Sequence, residues 1–157
     1  MIFLKKKTCC FTGHRMIAGD EKEELSFKTA SVIEDLIEKG YTRFVTGGAI
    51  GFDMLAAICV LAMRKKYADI ELHLCLPCND QDAKWNSVQK MHYGYIKENA
   101  DYVEVLNEKY VTGCMQQRNK RMVDLSSVCI AYLKRDYGGT KITVDYAADR
   151  GLDIIYV

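Results

Sequence analysis

"RFVTGGAIGFDMLAAICVLAMRKK", Arg43 to Lys66, decides the fold. It opens as a short strand, Arg43 to Gly48, that runs onto two glycines. After Gly51 it continues as a nearly apolar stretch that turns basic only at Arg64, Lys65 and Lys66. That stretch is long enough for a helix, and its cations sit where a helix dipole favours them. A strand that passes through a glycine turn into a buried helix is half of a βαβ unit.

The same alternation extends in both directions. Upstream, "TCCFTGHR" (Thr8 to Arg15) supplies a first strand, Thr8 to Thr12. "GDEKEELSFKTASVIEDLIEKG" follows, with acids at its start and Leu25, Thr29, Val32, Ile33, Leu36 and Ile37 at helical spacing. Gly40 is its natural C-cap. Downstream, "DIELHLCLP" alternates Ile70, Leu72, Leu74 and Leu76 on one face, a strand pattern. Trp85, Val88, His92, Tyr95 and Ile96 predict a helix, "DYVEVL" a fourth strand, and "CMQQRNKRMVDLS" a helix with Met115, Met122 and Val123 on one side. "SVCIAYL", "GTKITVDYAADRG" and "DIIYV" complete the series as strand, helix and strand. Six strands separated by helices predict an α/β three-layer sandwich with a mainly parallel sheet, in one domain over 1–157.

Composition narrows the function classes. Lys and Arg number 22 against 21 Asp and Glu in 157 residues, a net charge of +1. A protein that coats nucleic acid usually carries a basic surplus, so DNA ranks behind a small ligand. No apolar run approaches the ~18 residues of a membrane helix. "MIFLKKKT" puts its charges after a short apolar patch, the reverse of a signal peptide. Seven cysteines, an odd number mostly in apolar stretches, indicate free thiols and a reducing cytoplasm. A homo-oligomer is compatible with all of this.

In parallel sheets ligands sit beyond the C-terminal strand ends, so the residues after each strand are the candidates. "TGHR" follows the first strand: Thr12, Gly13, His14 and Arg15. "TGGAIGFD" follows the second, with Gly47, Gly48, Gly51 and Asp53; "KRDYGGT" follows the fifth, with Asp136, Gly138, Gly139 and Thr140. Glycine turns that open helices either serve turn geometry alone or admit a phosphate to free N–H groups. The second turn is not GxGxxG, so the dinucleotide fingerprint does not apply. Thr140 reads as an N-cap. Arg15 suits an anion, and Asp53 either takes ribose hydroxyls or complements its helix dipole. Asn119 shares a stripe with Met115, Met122 and Val123, which turns it inward as a core hydrogen bonder or a ligand contact. "CLPC", Cys75 to Cys78, has no second CxxC and reads as two free thiols, with no metal. Trp85, Tyr93 and Tyr95 fit core packing or stacking on a base.

Five ordered stretches, "CCFTGHR", "TGGAIGFDMLAA", "LPCNDQDAKW", "QRNKRMVDLSS" and "YGGTKITVDYA", closely resemble the YpsA-like family of the SLOG superfamily. That superfamily also holds DprA/Smf and the Lonely-Guy-type phosphoribohydrolases. The resemblance implies a Rossmann-like fold with a nucleotide-type ligand at the strand ends. It carries over to Thr12, Gly13, His14 and Arg15; to Gly47, Gly48, Gly51 and Asp53; to Pro77, Gln81 and Trp85; to Arg118 and Asn119; and to Gly138, Gly139 and Thr140. Lonely-Guy enzymes carry a PGGxGTxxE motif whose glutamate works in glycosidic cleavage. "YGGTKITVD" lacks the proline, the third glycine and the glutamate, and Asp145 is offset on its helix. The leading expectation is therefore a binding or sensor module for a nucleotide, NAD- or ADP-ribose-like ligand, with no certain cofactor. A hydrolase drawing on His14, Asp53 or Asp136 is the second expectation. A DprA-like single-strand DNA binder or scaffold is the third.

Overall fold

The computed structural model of the chain describes residues 2–157. Six strands form one sheet: β1 (Thr8–Gly13), β2 (Arg43–Thr46), β3 (Glu71–Leu76), β4 (Tyr102–Val105), β5 (Val128–Tyr132) and β6 (Asp153–Tyr156). Six helices alternate with them: α1 (Ile2–Lys6), α2 (Lys22–Glu38), α3 (Phe52–Arg64), α4 (Ser87–Asn99), α5 (Cys114–Asp124) and α6 (Gly139–Asp149). Every neighbouring pair of strands is parallel, in the order β4-β3-β2-β1-β5-β6. The architecture is the expected α/β, Rossmann-like sandwich.

Burial along the strands follows from their places. β1 and β5 lie centrally and are buried almost throughout, whereas β4 and β6 form the edges and carry exposed residues on both faces. Pleating sends Cys9 and Phe11 of β1 into the apolar layer under α2, α3 and α4, and Cys10 into the layer under α5 and α6. Phe11 packs against Phe44 and Phe52 at 6.3 Å between ring centroids. The long apolar helix of the opening stretch is α3, the middle helix of its layer.

The chain builds outward from β1 to β4, then α5 carries it back so that β5 lies on the other side of β1. The order reverses between β1 and β5. Loops leaving these two strands part to opposite faces, and the crevice between them is where such sheets bind ligands.

Local details differ from the sequence reading. The five-residue α1 is too short to show a periodicity. α4 begins after Trp85 because Asn86 and Gln89 form a capping box. Thr140 is not the N-cap of its helix: Gly138, at φ +94°, is. A glycine there takes the left-handed turn directly, and Thr140 falls inside the first turn. No helix among the described residues is long and apolar enough to cross a membrane.

Candidate functional site

The crevice between β1 and β5 holds a small cleft of about 170 Å³ lined mainly by polar residues. Nine residues named from sequence line it: Thr12, Gly13 and Arg15 after β1, Asp53 on α3, Gln81 after β3, Arg118 and Asn119 on α5, and Gly139 and Thr140 opening α6. They come from five separate segments of the chain. The volume is below the roughly 300 Å³ at which pockets for whole drug-sized ligands begin. It suits a phosphate- or pentose-sized head.

Arg118 is the centre of the cleft's electrostatics. It is only 4% exposed. Its Nη1 donates to the Gly47 carbonyl at 2.6 Å and to Gln81 Oε1 at 3.3 Å, and its Nε donates to Asn119 Oδ1 at 2.8 Å. Its Nη2 meets only the Met115 thioether, at 3.6 Å. Among the described residues no carboxylate lies within 4.0 Å of it. All its oxygen partners are neutral. A guanidinium withdrawn from water with no carboxylate paired to it is costly, and an anion in the cleft would pair with it.

Gln81 completes the inner wall, donating to Gly47 O at 3.3 Å and to the Tyr93 hydroxyl at 3.1 Å. Asp53 is 7% exposed, and its Oδ2 accepts from the Ala49 N–H at 3.3 Å. Burial raises its pKa above the ordinary carboxylate range, opposed by Arg118, the Ala49 N–H and Arg15. Arg15 is exposed at the rim and forms no ion pair among the described residues. Two guanidiniums against one reluctant carboxylate leave the cleft positive. The N-terminus of α6 adds its dipole and first-turn N–H groups.

Several predicted residues support the cleft without lining it. A Cβ on Gly47 would run into the Arg118 guanidinium, and one on Gly51 into the Arg15 carbonyl. Gly51 also sits at φ +87°. A Cβ on Gly13 would meet the Phe52 ring at 2.5 Å, and one on Gly48 would lie 3.1 Å from Tyr93. These glycines let the loops pack on one another, so the Phe52 N–H can donate to the His14 carbonyl at 3.1 Å and cap α3. Pro77 is buried and its carbonyl accepts from Asn107 at 2.9 Å. Trp85 packs edge-on against Tyr93, 5.0 Å between centroids. Gly138 sits behind the α6 start.

Of the three candidate acid–base residues, one lies in the cleft. His14 is 7% exposed, and its Nε2 accepts the Lys134 N–H at 2.8 Å. Its ring packs on Tyr132, and burial, with Arg135 and Lys134 nearby, lowers its pKa. It is a neutral imidazole whose acceptor nitrogen is occupied. Asp136 is exposed in the β5–α6 loop and does not line the cleft. Asp53 remains. Asp145 pairs with Lys141 at the surface.

Ala49, Met115 and Gln116 also line the cleft. The Oε1 of Gln116 is buried without a hydrogen-bond partner. Met115 shares the helical stripe of Asn119, whereas nothing in the type or spacing of Ala49 and Gln116 sets them apart in the sequence. Cys75 and Cys78 are buried, with thiols pushed up to about 12 by desolvation, so neither is a thiolate at neutral pH.

Comparison with known proteins adds ancestry to this geometry. The YpsA family model, described as the YspA SLOG family, matches residues 18–151. The SPbeta prophage-derived protein YoqJ of Bacillus subtilis (strain 168) is 36% identical over 137 residues, 79% of this chain and 80% of that protein. A UPF0398 protein of Staphylococcus haemolyticus is 25% identical over 143 residues, 85% of this chain and 76% of that one. Among solved structures, DNA processing protein A from Helicobacter pylori superposes with a TM-score of 0.69 at 20% identity, covering 99% of this chain and 67% of that one. At that identity the likeness is one of fold. The family match begins after the β1 turn, so the placing of Thr12, Gly13 and Arg15 at the site rests on the cleft geometry.

Proposed function

The chain belongs to the YpsA SLOG family, and from that premise we propose that it is a binding module for a nucleotide or nucleotide-derived ligand. The phosphate end enters the cleft between β1 and β5, against Arg118, Arg15 and the α6 N-terminus. The free oxygen of Asp53 takes sugar hydroxyls. The base extends outward past Asn119, because the cleft is too small for a whole nucleotide. The observation that carries this reading is Arg118, nine-tenths buried at the cleft with only neutral partners.

Isothermal titration with AMP, ADP-ribose and NAD tests it, in wild type and in Arg118→Met. A hydrogen bond to a charged group contributes about 1.5–3 kcal/mol, so Arg118→Met should weaken a phosphate ligand roughly ten- to hundredfold. Arg118→Lys, which keeps the charge but loses the fork, should fall between. Wild-type protein that binds none of the panel, or a folded Arg118→Met that binds as well as wild type, would sink the proposal.

A second reading has one observation in its favour. The fold neighbour from Helicobacter pylori is described for its single-stranded DNA binding. Beside this cleft Lys134 and Arg135 are exposed, and Arg135 stacks over the exposed Tyr137 ring at 5.0 Å. A cation–aromatic pair of this kind suits an unpaired base. Binding of an oligothymidylate that falls steeply with rising salt would favour DNA over a mononucleotide.

A further inference from the structure

We propose that a second copy of this chain docks, about a two-fold axis, on the outer face of α2, α3 and α4. The face holds an open groove of about 830 Å³ whose floor is the apolar side of α3, including Met54, Leu55 and Ile58. Ile58, mid-helix, is 44% exposed, although most of α3 is buried. Above the floor stand Phe27 of α2, 80% exposed, and Met16 of the β1–α2 loop, 84% exposed. On α4, Val88, Met91 and Tyr95 recur at i, i+3 and i+7 and are all more than half exposed. They extend the apolar surface past His92 on the groove wall. Monomers seldom leave a contiguous apolar surface of this kind in water.

The occupant follows from the shape and charge of the patch. A two-fold interface places one patch against itself, so the patch must carry both a projection and the recess that receives it. Phe27 and Met16 are the projections and the space over α3 is the recess. Large exposed apolar residues beside a pocket are what interface anchors require. The groove wall carries both signs, Arg15 and Lys22 with Glu23, and a two-fold axis near the adjacent Lys22 and Glu23 sets each lysine against the opposite glutamate. A one-signed peptide or a nucleic acid would call for a one-signed rim. On the opposite layer, among the described residues, the exposed large apolar side chains are Ile142 on α6, 52% exposed, and Tyr110, Val111 and Tyr137 in the loops before α5 and α6. This inference does not depend on the nucleotide reading.

Sedimentation velocity on the full chain tests it, at about 50 µM, enough to populate a dimer with a micromolar dissociation constant. Wild type should sediment at twice the chain mass. Phe27→Glu should weaken the dimer at least about thirtyfold, and so should Ile58→Glu. Phe27 is exposed, so its variant should keep the wild-type fold by circular dichroism; Met16→Lys is a second such probe. Ile142→Glu should remain a dimer. A wild type that stays monomeric at this concentration overturns the proposal and leaves the groove to another partner. A dimer that survives Phe27→Glu and Met16→Lys in folded protein also overturns it.

Discussion

The cleft beside Arg118 and the groove beside Phe27 both adjoin Arg15, yet they are lined by different kinds of residue. The cleft encloses about 170 Å³ and converges buried polar groups from five segments. The groove encloses about 830 Å³ and is floored by one apolar helix. Size alone would make the larger cavity the ligand site. The chemistry points the other way. A buried cation with no paired carboxylate favours an anion, whereas exposed apolar side chains favour a covering surface. On the two proposals, partner contact and ligand binding lie side by side, with Arg15 between them.

The comparison breaks most completely at Gly51. Its φ of +87° and the closeness of the Arg15 carbonyl leave no room for a side chain. Gly51→Ala combines left-handed strain with a backbone clash, and should cost on the order of 3 kcal/mol in chemical denaturation. Because Gly51 holds the Arg15 turn that borders both cavities, the variant should also lose ligand binding and self-association together. A Gly51→Ala protein of wild-type stability would show that this loop contact does not hold the boundary.

How much of this was legible in sequence varies with the range of the contacts. Strands and helices were legible because apolar periodicity is local; only α1, too short for a period, went unread. The strand-end positions could be named because parallel sheets open their crevices there, whereas Gln81 and Arg118 were named only through the family resemblance. What each side chain does there was not. The Arg118 bond to the Gly47 carbonyl spans 71 residues, and the His14 bond to the Lys134 N–H spans 120. No spacing rule reaches so far. The glycines were ambiguous for another reason. A missing side chain does not say what fills its space, and Phe52, Arg118 and the Arg15 backbone fill it at Gly13, Gly47 and Gly51. His14 looked like a titratable group at a strand end, and the fold uses it as a hydrogen-bond acceptor.

Arg15→Ala sharpens the comparison with a smaller effect. The side chain is exposed and forms no ion pair among the described residues, so stability should change by less than about 0.5 kcal/mol. If Arg15 serves the cleft, affinity for a phosphate ligand should fall about tenfold by titration calorimetry. If affinity holds while the dimer weakens, Arg15 belongs to the groove.

Asp53→Asn gives the smallest effect and isolates the cleft from the groove. Burial raises the Asp53 pKa, so the folded protein keeps this proton at pH values where the unfolded chain has already released it. Between the ordinary carboxylate value, about 4, and the raised one, the folded state binds more protons. Stability therefore falls as pH rises through that window, and the loss persists at neutral pH. Asparagine has no charge to desolvate and can still accept the Ala49 N–H. Asp53→Asn should stabilise the protein by about 1 kcal/mol at pH 7, and the gain should shrink to nothing below about pH 4. Paired thermal melts across pH 3–8 check the sign; a variant less stable than wild type at pH 7 would mean that Arg118 and Arg15 outweigh burial at this carboxylate. Self-association should be unchanged throughout, since Asp53 lines the cleft and not the groove. A dimer that weakened with Asp53→Asn would show that the two cavities share more than the Arg15 turn.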